Sequence, residues 1–344
     1  MPTMILSVFS ISRFIIGGNL RVVVLGGAGY IGSHFSYLAT INGLEVIVFD
    51  DFSTGHDWAV KKNRLIVGNI LETRKLAEVL IGADAVCHFA AKSLVAESVA
   101  CPDLYFHNNV AGTESVLEAM SLANVNNLVF SSTAACYGMP SEQNELITEK
   151  YPALPINPYG QSKLEAEALI ETWASKAENR AIAFRYFNAA GAMPEAGLGE
   201  AHEPETHLVP NVLKALLSDS IQEFKLYGTD YPTADGTCVR DYVHVKDIAL
   251  AHLAGLSFLE NTEDRFTVVN LGSAIGYSNL EVIKACERVT GRTLNIQAVS
   301  RRDGDPPVLV ASQAKALDLL GWKPQHSVLE EIILSAYKWH SANG

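Results

Sequence analysis

The stretch Arg21-Val22-Val23-Val24-Leu25-Gly26-Gly27-Ala28-Gly29-Tyr30-Ile31-Gly32-Ser33-His34 sets a β-branched run directly before a glycine-rich turn and a helix-compatible segment. It satisfies GxGxxG from Gly27 and GxxGxxG from Gly26. Glycines at these places permit positive φ, bring backbone close to a pyrophosphate and pack helix on strand. The helix N-terminus then offers free amides and a positive dipole. Plain structural turns produce such glycines too, so the context decides. The next Val/Ile-rich run, 45–50, ends in Asp50-Asp51, where a carboxylate can accept both hydroxyls of an NAD ribose. A carboxylate there repels a 2′-phosphate, which favours NAD over NADP. Asp50 is the candidate, with Asp51 as its solvated neighbour.

Outward from this unit, short Val/Ile-rich runs at 21–25, 45–50, 64–67, 85–89, 127–131 and 181–185 alternate with longer helical stretches. That rhythm belongs to an α/β fold, a doubly wound parallel sheet of the Rossmann type. After Asn188 the rhythm breaks, Gly and Pro cluster over 191–210, and short strands mix with helices. The expected organisation is an N-terminal extension over 1–20, an NAD-binding domain over 21–188, and a smaller α+β substrate domain over 189–344. A segment near 237–275, carrying the run 268–271, is expected to return to the first domain.

The 344 residues are 48% hydrophobic and 19% charged, ordinary globular usage that excludes a disordered, collagenous or coiled-coil chain. A net charge of -12 gives no basic field for nucleic acid or anionic lipid, so a phosphate-bearing ligand must be held by local donors. Five scattered cysteines, Cys87, Cys101, Cys136, Cys238 and Cys286, form no CxxC and suggest neither a disulfide framework nor a metal site. A reducing cytoplasm fits. The apolar run 4–16 is broken by Arg13, is too short to span a bilayer and lacks a basic n-region. It reads as a frayed or misassigned start more than as a targeting segment, and no membrane association is expected.

The second chemical signal is Tyr159-Gly160-Gln161-Ser162-Lys163 at the head of a helical stretch. A spacing of four puts phenol and ammonium on one helical face, where the cation can lower the tyrosine pKa. Such a pair is common on surfaces. Here it follows Ser131-Ser132-Thr133, which ends a strand at the carboxyl edge of the sheet, where ligands of open α/β sheets bind. Thr133 is the hydroxyl selected to act with Tyr159.

In these segments the chain resembles the extended short-chain dehydrogenase/reductase family, and within it the UDP-glucose 4-epimerase branch, over about 21–340. The resemblance rests on GGAGYIGSH at 26–34, HFAA at 88–91, VAESV at 95–99, NNVAGT at 108–113, FSSTAACYG at 130–138, YGQSK at 159–163, RYFNAAGA at 185–192, YPTADGTCVRDYVHV at 231–245 and RRDGDP at 301–306. It implies NAD-dependent epimerisation at C4 of a UDP-hexose through a 4-keto intermediate, with Tyr159 as base, Lys163 as its partner and Thr133 assisting. It implies NAD contacts at Gly26, Gly29, Tyr30, Ile31, Gly32, Asp50, Asn69, Ile70, Phe89, Ala90, Ala91, Asn108, Ser131, Tyr159, Lys163 and Tyr186. For the UDP-sugar it implies Asn188, Arg240 and Arg302 at the diphosphate, Asp305 at the uridine ribose, His207 and Leu208 at the sugar and uracil ends, and Tyr227 on uracil. Two guanidinium forks would neutralise a diphosphate in an acidic protein. Each also has a plainer reading: Arg240 as an ion pair with Asp241, His207 as a cap on the helix before Pro210. The resemblance further implies a homodimer through helices near 109–123 and 159–174.

The chain departs from the branch's pattern in places. Ser93 stands where a cofactor-binding lysine is familiar, Asn69 where Asp is common, and Leu309 where a bulky tyrosine restricts the sugar pocket. Asn69 keeps an acceptor oxygen, and the shorter Leu309 would admit an N-acetylated hexose. A 4,6-dehydratase needs an acid and a base just after the threonine, where Ala134 and Ala135 stand. The alternatives left open are 4-epimerisation of UDP-GlcNAc, UDP-xylose/arabinose or UDP-glucuronate, and a non-catalytic nucleotide-sugar sensor.

Overall fold

A computed structural model provides the three-dimensional structure and describes residues 20–140, 145–218, 223–302 and 304–343. The extension expected over 1–20 lies, apart from Leu20, outside the described residues. In chain order the strands are β1 (Arg21–Leu25), β2 (Glu45–Asp50), β3 (Arg64–Val67), β4 (Ala85–His88), β5 (Asn127–Thr133), β6 (Arg180–Tyr186), β7 (Asn188–Ala190), β8 (Phe224–Tyr227), β9 (Val239–His244), β10 (Phe266–Leu271), β11 (Gly276–Ser278), β12 (Ile296–Val299) and β13 (Val308–Leu309). A seven-stranded parallel sheet runs β10-β6-β5-β4-β1-β2-β3. The winding reverses between β1 and β4, and a crevice for ligands opens at the carboxyl ends of such neighbours.

Strand side chains point alternately to the two faces, and both faces here are covered. Val22 and Val24 pack into one layer with Phe35 and Ala251, under helices Tyr30–Ile41 and Val245–Asn261. Val23 and Leu25 pack into the opposite layer with Leu76, Val116, Met120 and Ile170, under helices Thr73–Leu80, Gly112–Ala123 and Pro158–Ala174. Val22, Val23, Val24 and Leu25 are fully buried, each contributing roughly 1.5–3 kcal/mol of apolar burial. A continuous valine run, with no polar alternate, follows from having helices on both sides.

Helix Val245–Asn261 packs on helix Tyr30–Ile41, and β10 pairs with β6 from Phe266↔Ala181 to Leu271↔Tyr186. β9 stays in a smaller sheet with β7, β11 and β13. It is held there by Asp241, whose carboxylate accepts the amides of Ser273, Ala274 and Ala311 and the Ser273 hydroxyl. β8 and β12 form a separate parallel pair. Val212, Leu213, Val282, Ile283, Ile332 and Ile333 build a third core among helices Leu208–Leu217, Asn279–Thr290 and Leu329–Asn343.

Candidate active site

The turn after β1 is built for close backbone approach. Gly26 has φ +75, and a Cβ there would lie 2.5 Å from the Ala90 amide nitrogen. Phe89 and Ala90 press on this loop because both their amides donate to the Leu25 carbonyl, at 2.8 and 3.0 Å. A Cβ on Gly32 would lie 2.2 Å from the Gly26 carbonyl oxygen, so only hydrogen allows the helix to seat on the turn. Gly29 begins helix Tyr30–Ile41 with no side-chain cap, so side chains leave the first-turn amides, those of Tyr30, Ile31 and Gly32 among them, uncapped. Asp50 accepts the Ala28 amide at 2.9 Å and the Phe52 amide at 2.8 Å, and burial raises its carboxyl above the usual range. These residues fit a dinucleotide: a glycine cradle, uncapped helical amides and a fixed carboxylate one strand away.

Asn69 is more engaged than its sequence reading allowed. Its side-chain oxygen accepts the Leu71 amide at 2.9 Å, and its amide nitrogen donates to Asp51 at 2.7 Å, so Asp51 is tied down and not simply solvated. Asn108 donates to Asn109 Oδ1. Asn109 is the buried hub: it accepts the Lys92 amide at 2.8 Å and donates to the Lys92 carbonyl and to Ser162 Oγ, both at 3.0 Å. It sits in a π-helical turn, Phe106–Ala111, and fastens the loop after β4 to the Tyr159–Lys163 motif.

Thr133 ends β5 and accepts the Ala135 amide at 3.1 Å. Its hydroxyl neighbours the Tyr159 phenol and favours the phenol's ionised form. Tyr159 is half-buried, and the surrounding protein pushes its phenol up to about 12, the Thr133 bond acting in the opposite sense. Lys163 is buried, with Nζ 4.1 Å from the centre of the Phe130 ring, and burial brings its ammonium down to about 8. Burial is the largest cause of the raised phenol, and Lys163 is not among the groups that shift it. The ammonium turns to the Phe130 face, with Cys136 and Glu167 as its electrostatic support, and burial governs the tyrosine. Ser131 bonds the Tyr186 hydroxyl, so this cofactor-side pair is structurally linked.

Beneath the pair lies a network the sequence reading missed. Glu167 accepts from Ser132 and takes a bidentate grip from Arg185, with side chains 4% and 7% exposed. It occupies the next position of the stripe 159, 163, 167, which was the available signal.

On the opposite side, β9 carries Arg240, which reaches the Pro306 carbonyl at 2.7 Å and Asp305 at 3.4 Å. Its partner is Asp305 and not Asp241, whose carboxylate the β9 sheet already uses. Arg302 stacks on Tyr227, 4.1 Å from the ring centre, so one face of that ring is covered by guanidinium. Asn188 opens β7 opposite Tyr242 of β9. Leu309 lies opposite Arg240 in β13 and packs against a cluster containing Ala134, Tyr137 and Phe187. His207 precedes helix Leu208–Leu217 without capping it. Its ring faces Glu200 at 2.7 Å and Glu205 at 3.3 Å, and those carboxylates raise it to about 10. His202 joins the same group, so the structure assembles four metal-competent side chains that the cysteine count gave no hint of.

The NAD dependent epimerase/dehydratase family matches residues 22–272. The UDP-glucose 4-epimerase of Lactobacillus helveticus is 46% identical over 94% of this chain and 98% of its own. The chain belongs to the UDP-glucose 4-epimerase family. The Brucella ovis UDP-glucose 4-epimerase, crystallised with NAD, superposes with TM-score 0.88 at 42% identity, covering 92% of this chain and 97% of that one. The Bifidobacterium longum UDP-glucose 4-epimerase, crystallised with NAD+ and UDP, gives TM-score 0.87 at 35% identity, covering 94% of this chain and 98% of its own. The similarity to these relatives covers both halves of the chain.

Proposed function

We propose that this chain interconverts UDP-glucose and UDP-galactose by NAD-dependent epimerisation at C4. The observation that carries the reading is that Tyr159, beside Thr133 and one helical turn from Lys163, stands at the carboxyl edge of the sheet beside the glycine cradle. Gly26, the Tyr30–Gly32 amides and Asp50 hold the dinucleotide, and Lys163 and Ser131 face its nicotinamide end. NAD, when bound, supplies the hydride acceptor and donor at C4 and a positive ring that favours phenolate, so the centre inverts through a 4-ketose with no net redox change. Tyr159 takes the proton of the sugar 4-hydroxyl and returns it, while Thr133 orients that oxygen. Ala134 and Ala135, packed in a short 3-10 turn, offer no acid or base for dehydration.

Arg240 and Arg302 neutralise the diphosphate, Asp305 meets the uridine ribose, and Asn188, Leu208 and Tyr227 border the nucleotide sugar. Residues 21–188 with the returning stretch hold the cofactor, and the remaining 189–344 hold the substrate. The molecule works as a homodimer through helices Gly112–Ala123 and Pro158–Ala174, in the cytoplasm. Supporting the location, the described cysteines are free thiols, and no described helix is long and apolar enough to cross a membrane.

The test is conversion of UDP-galactose to UDP-glucose by purified protein, with UDP-GlcNAc, UDP-xylose and UDP-glucuronate as parallel substrates. Interconversion of the glucose pair supports the reading. No turnover of that pair, with turnover of another sugar, overturns it.

A further inference from the structure

Glu200, His202, Glu205 and His207 lie within one loop that leads into helix Leu208–Leu217. Their ligand atoms all fall within 4.8 Å of one another. The nitrogen–oxygen separations are 2.7 Å from His207 Nδ1 to Glu200, 3.2 Å from His202 Nδ1 to Glu200, 3.3 Å from His207 Nδ1 to Glu205 and 3.8 Å from His202 Nδ1 to Glu205.

Close spacing alone would describe two imidazolium–carboxylate pairs. The geometry is different. Glu200 Oε1, His202 Nδ1 and Glu205 Oε2 are buried atoms that make no hydrogen bond, although they face each other across these short gaps. Glu200 is only 4% exposed. Buried polar atoms whose close contacts lack hydrogen-bond geometry are costly, and here they converge on a common point. Tetrahedral coordination with bonds of about 2.0–2.2 Å sets neighbouring donors roughly 3.3–3.6 Å apart. The four separations fall around that value. Two imidazoles with two carboxylates suit a borderline first-row cation and disfavour magnesium or calcium, which prefer all-oxygen shells. The two carboxylates would also balance a dication.

We propose that Glu200, His202, Glu205 and His207 bind one divalent transition-metal cation, of zinc type, as a structural clasp. Four protein donors leave no open position for a substrate, the arrangement of a structural and not a catalytic site. The clasp sits between the two halves of the protein. The Tyr30 ring of the glycine-loop helix meets His202 edge-on, with centroids 6.0 Å apart, and the Tyr30 hydroxyl donates to the Gly191 carbonyl at 2.6 Å. His56, from the loop after β2, bonds the Ala201 carbonyl at 2.6 Å. A cation here fixes the entry to helix Leu208–Leu217 against the cofactor loop. It also reassigns His207 from sugar contact to metal ligand.

The test uses tag-free full-length protein purified without chelator. Elemental analysis should find about one zinc per chain. After chelation, titration with zinc chloride should show a single saturable site and restore a lowered melting temperature, and cobalt(II) should give the visible absorption of a four-coordinate ion. His202→Ala and Glu205→Gln should abolish zinc uptake and the cobalt spectrum. Chelated wild type that takes up neither metal, or variants that bind as wild type does, would overturn the proposal in favour of a closed set of ion pairs. If both variants fail to fold, the wild-type titration still decides.

Discussion

The phenolic oxygen of Tyr159, the proposed base, is the sharpest point of test. Tyr159→Phe removes that oxygen alone and leaves the glycine cradle untouched. NAD content should be unchanged while turnover falls well beyond the roughly 100-fold typical of losing a general base. Near-normal epimerisation would remove Tyr159 from its role. Lys163 is the pH reporter. Its folded value of about 8 lies below the ordinary 10.5, so between these values the unfolded chain binds more protons, and stability from this group rises with pH. Below pH 8 both states carry the charge, and the cost of burying it is constant. Denaturant unfolding of wild type should gain stability between pH 8 and 10 relative to Lys163→Met; parallel pH profiles would contradict the buried ammonium. Leu309→Tyr should narrow the sugar side, lowering turnover of UDP-GlcNAc relative to UDP-glucose in a paired assay, because residue 309 lies opposite Arg240 beside Ala134 and Tyr137. Tyr159 and Lys163 were legible because helical spacing fixes which residues share a face. The direction of the lysine was not, since the aromatic ring it chose belongs to another strand. Arg240 and Asp305 are similarly distant in sequence, and only the approach of the 301–306 segment to β9 pairs them.

Helix Pro158–Ala174 presents Tyr159 and Lys163 correctly only if its rotation and height are fixed, and Glu167 performs that task. It ties the helix to β5 through Ser132 and to β6 through Arg185. Glu167→Gln leaves the Arg185 guanidinium buried without its counter-charge, a change expected to cost about 3–5 kcal/mol of stability by denaturant unfolding. A loss under about 1 kcal/mol would mean that the pair contributes little beyond a surface bridge. The glycine turn is equally exacting. Gly26→Ala forces a side chain into a positive-φ position already against the Ala90 backbone, so both melting temperature and retained NAD should drop. The turn could be read from its glycines and its place after a valine run. The Glu167 network could not, because its meaning depends on an arginine that arrives one strand later.

At the scale of the molecule, β1, β2 and β4 to β6 were legible because parallel strands buried on both faces read as apolar runs, and the edge strand β3 keeps that composition although Leu65 and Val67 stay exposed. The smaller sheet was not, for it is made of short strands such as Val308–Leu309 that pair across long sequence separations and carry no periodic signature. The loop from Glu200 to His207 was not legible for another reason: it holds no cysteine, and carboxylates with imidazoles along a polar loop have no spacing that singles them out. The last strand of the large sheet, β10, has a bearing on how the protein is made. Until translation passes residue 261 the valine layer beneath helix Val245–Asn261 lies bare, and until it passes residue 271 the β6 flank is unpartnered. The cofactor half therefore completes itself only after most of the chain has left the ribosome, and fragments ending near residue 190 should be sticky, chaperone-dependent species.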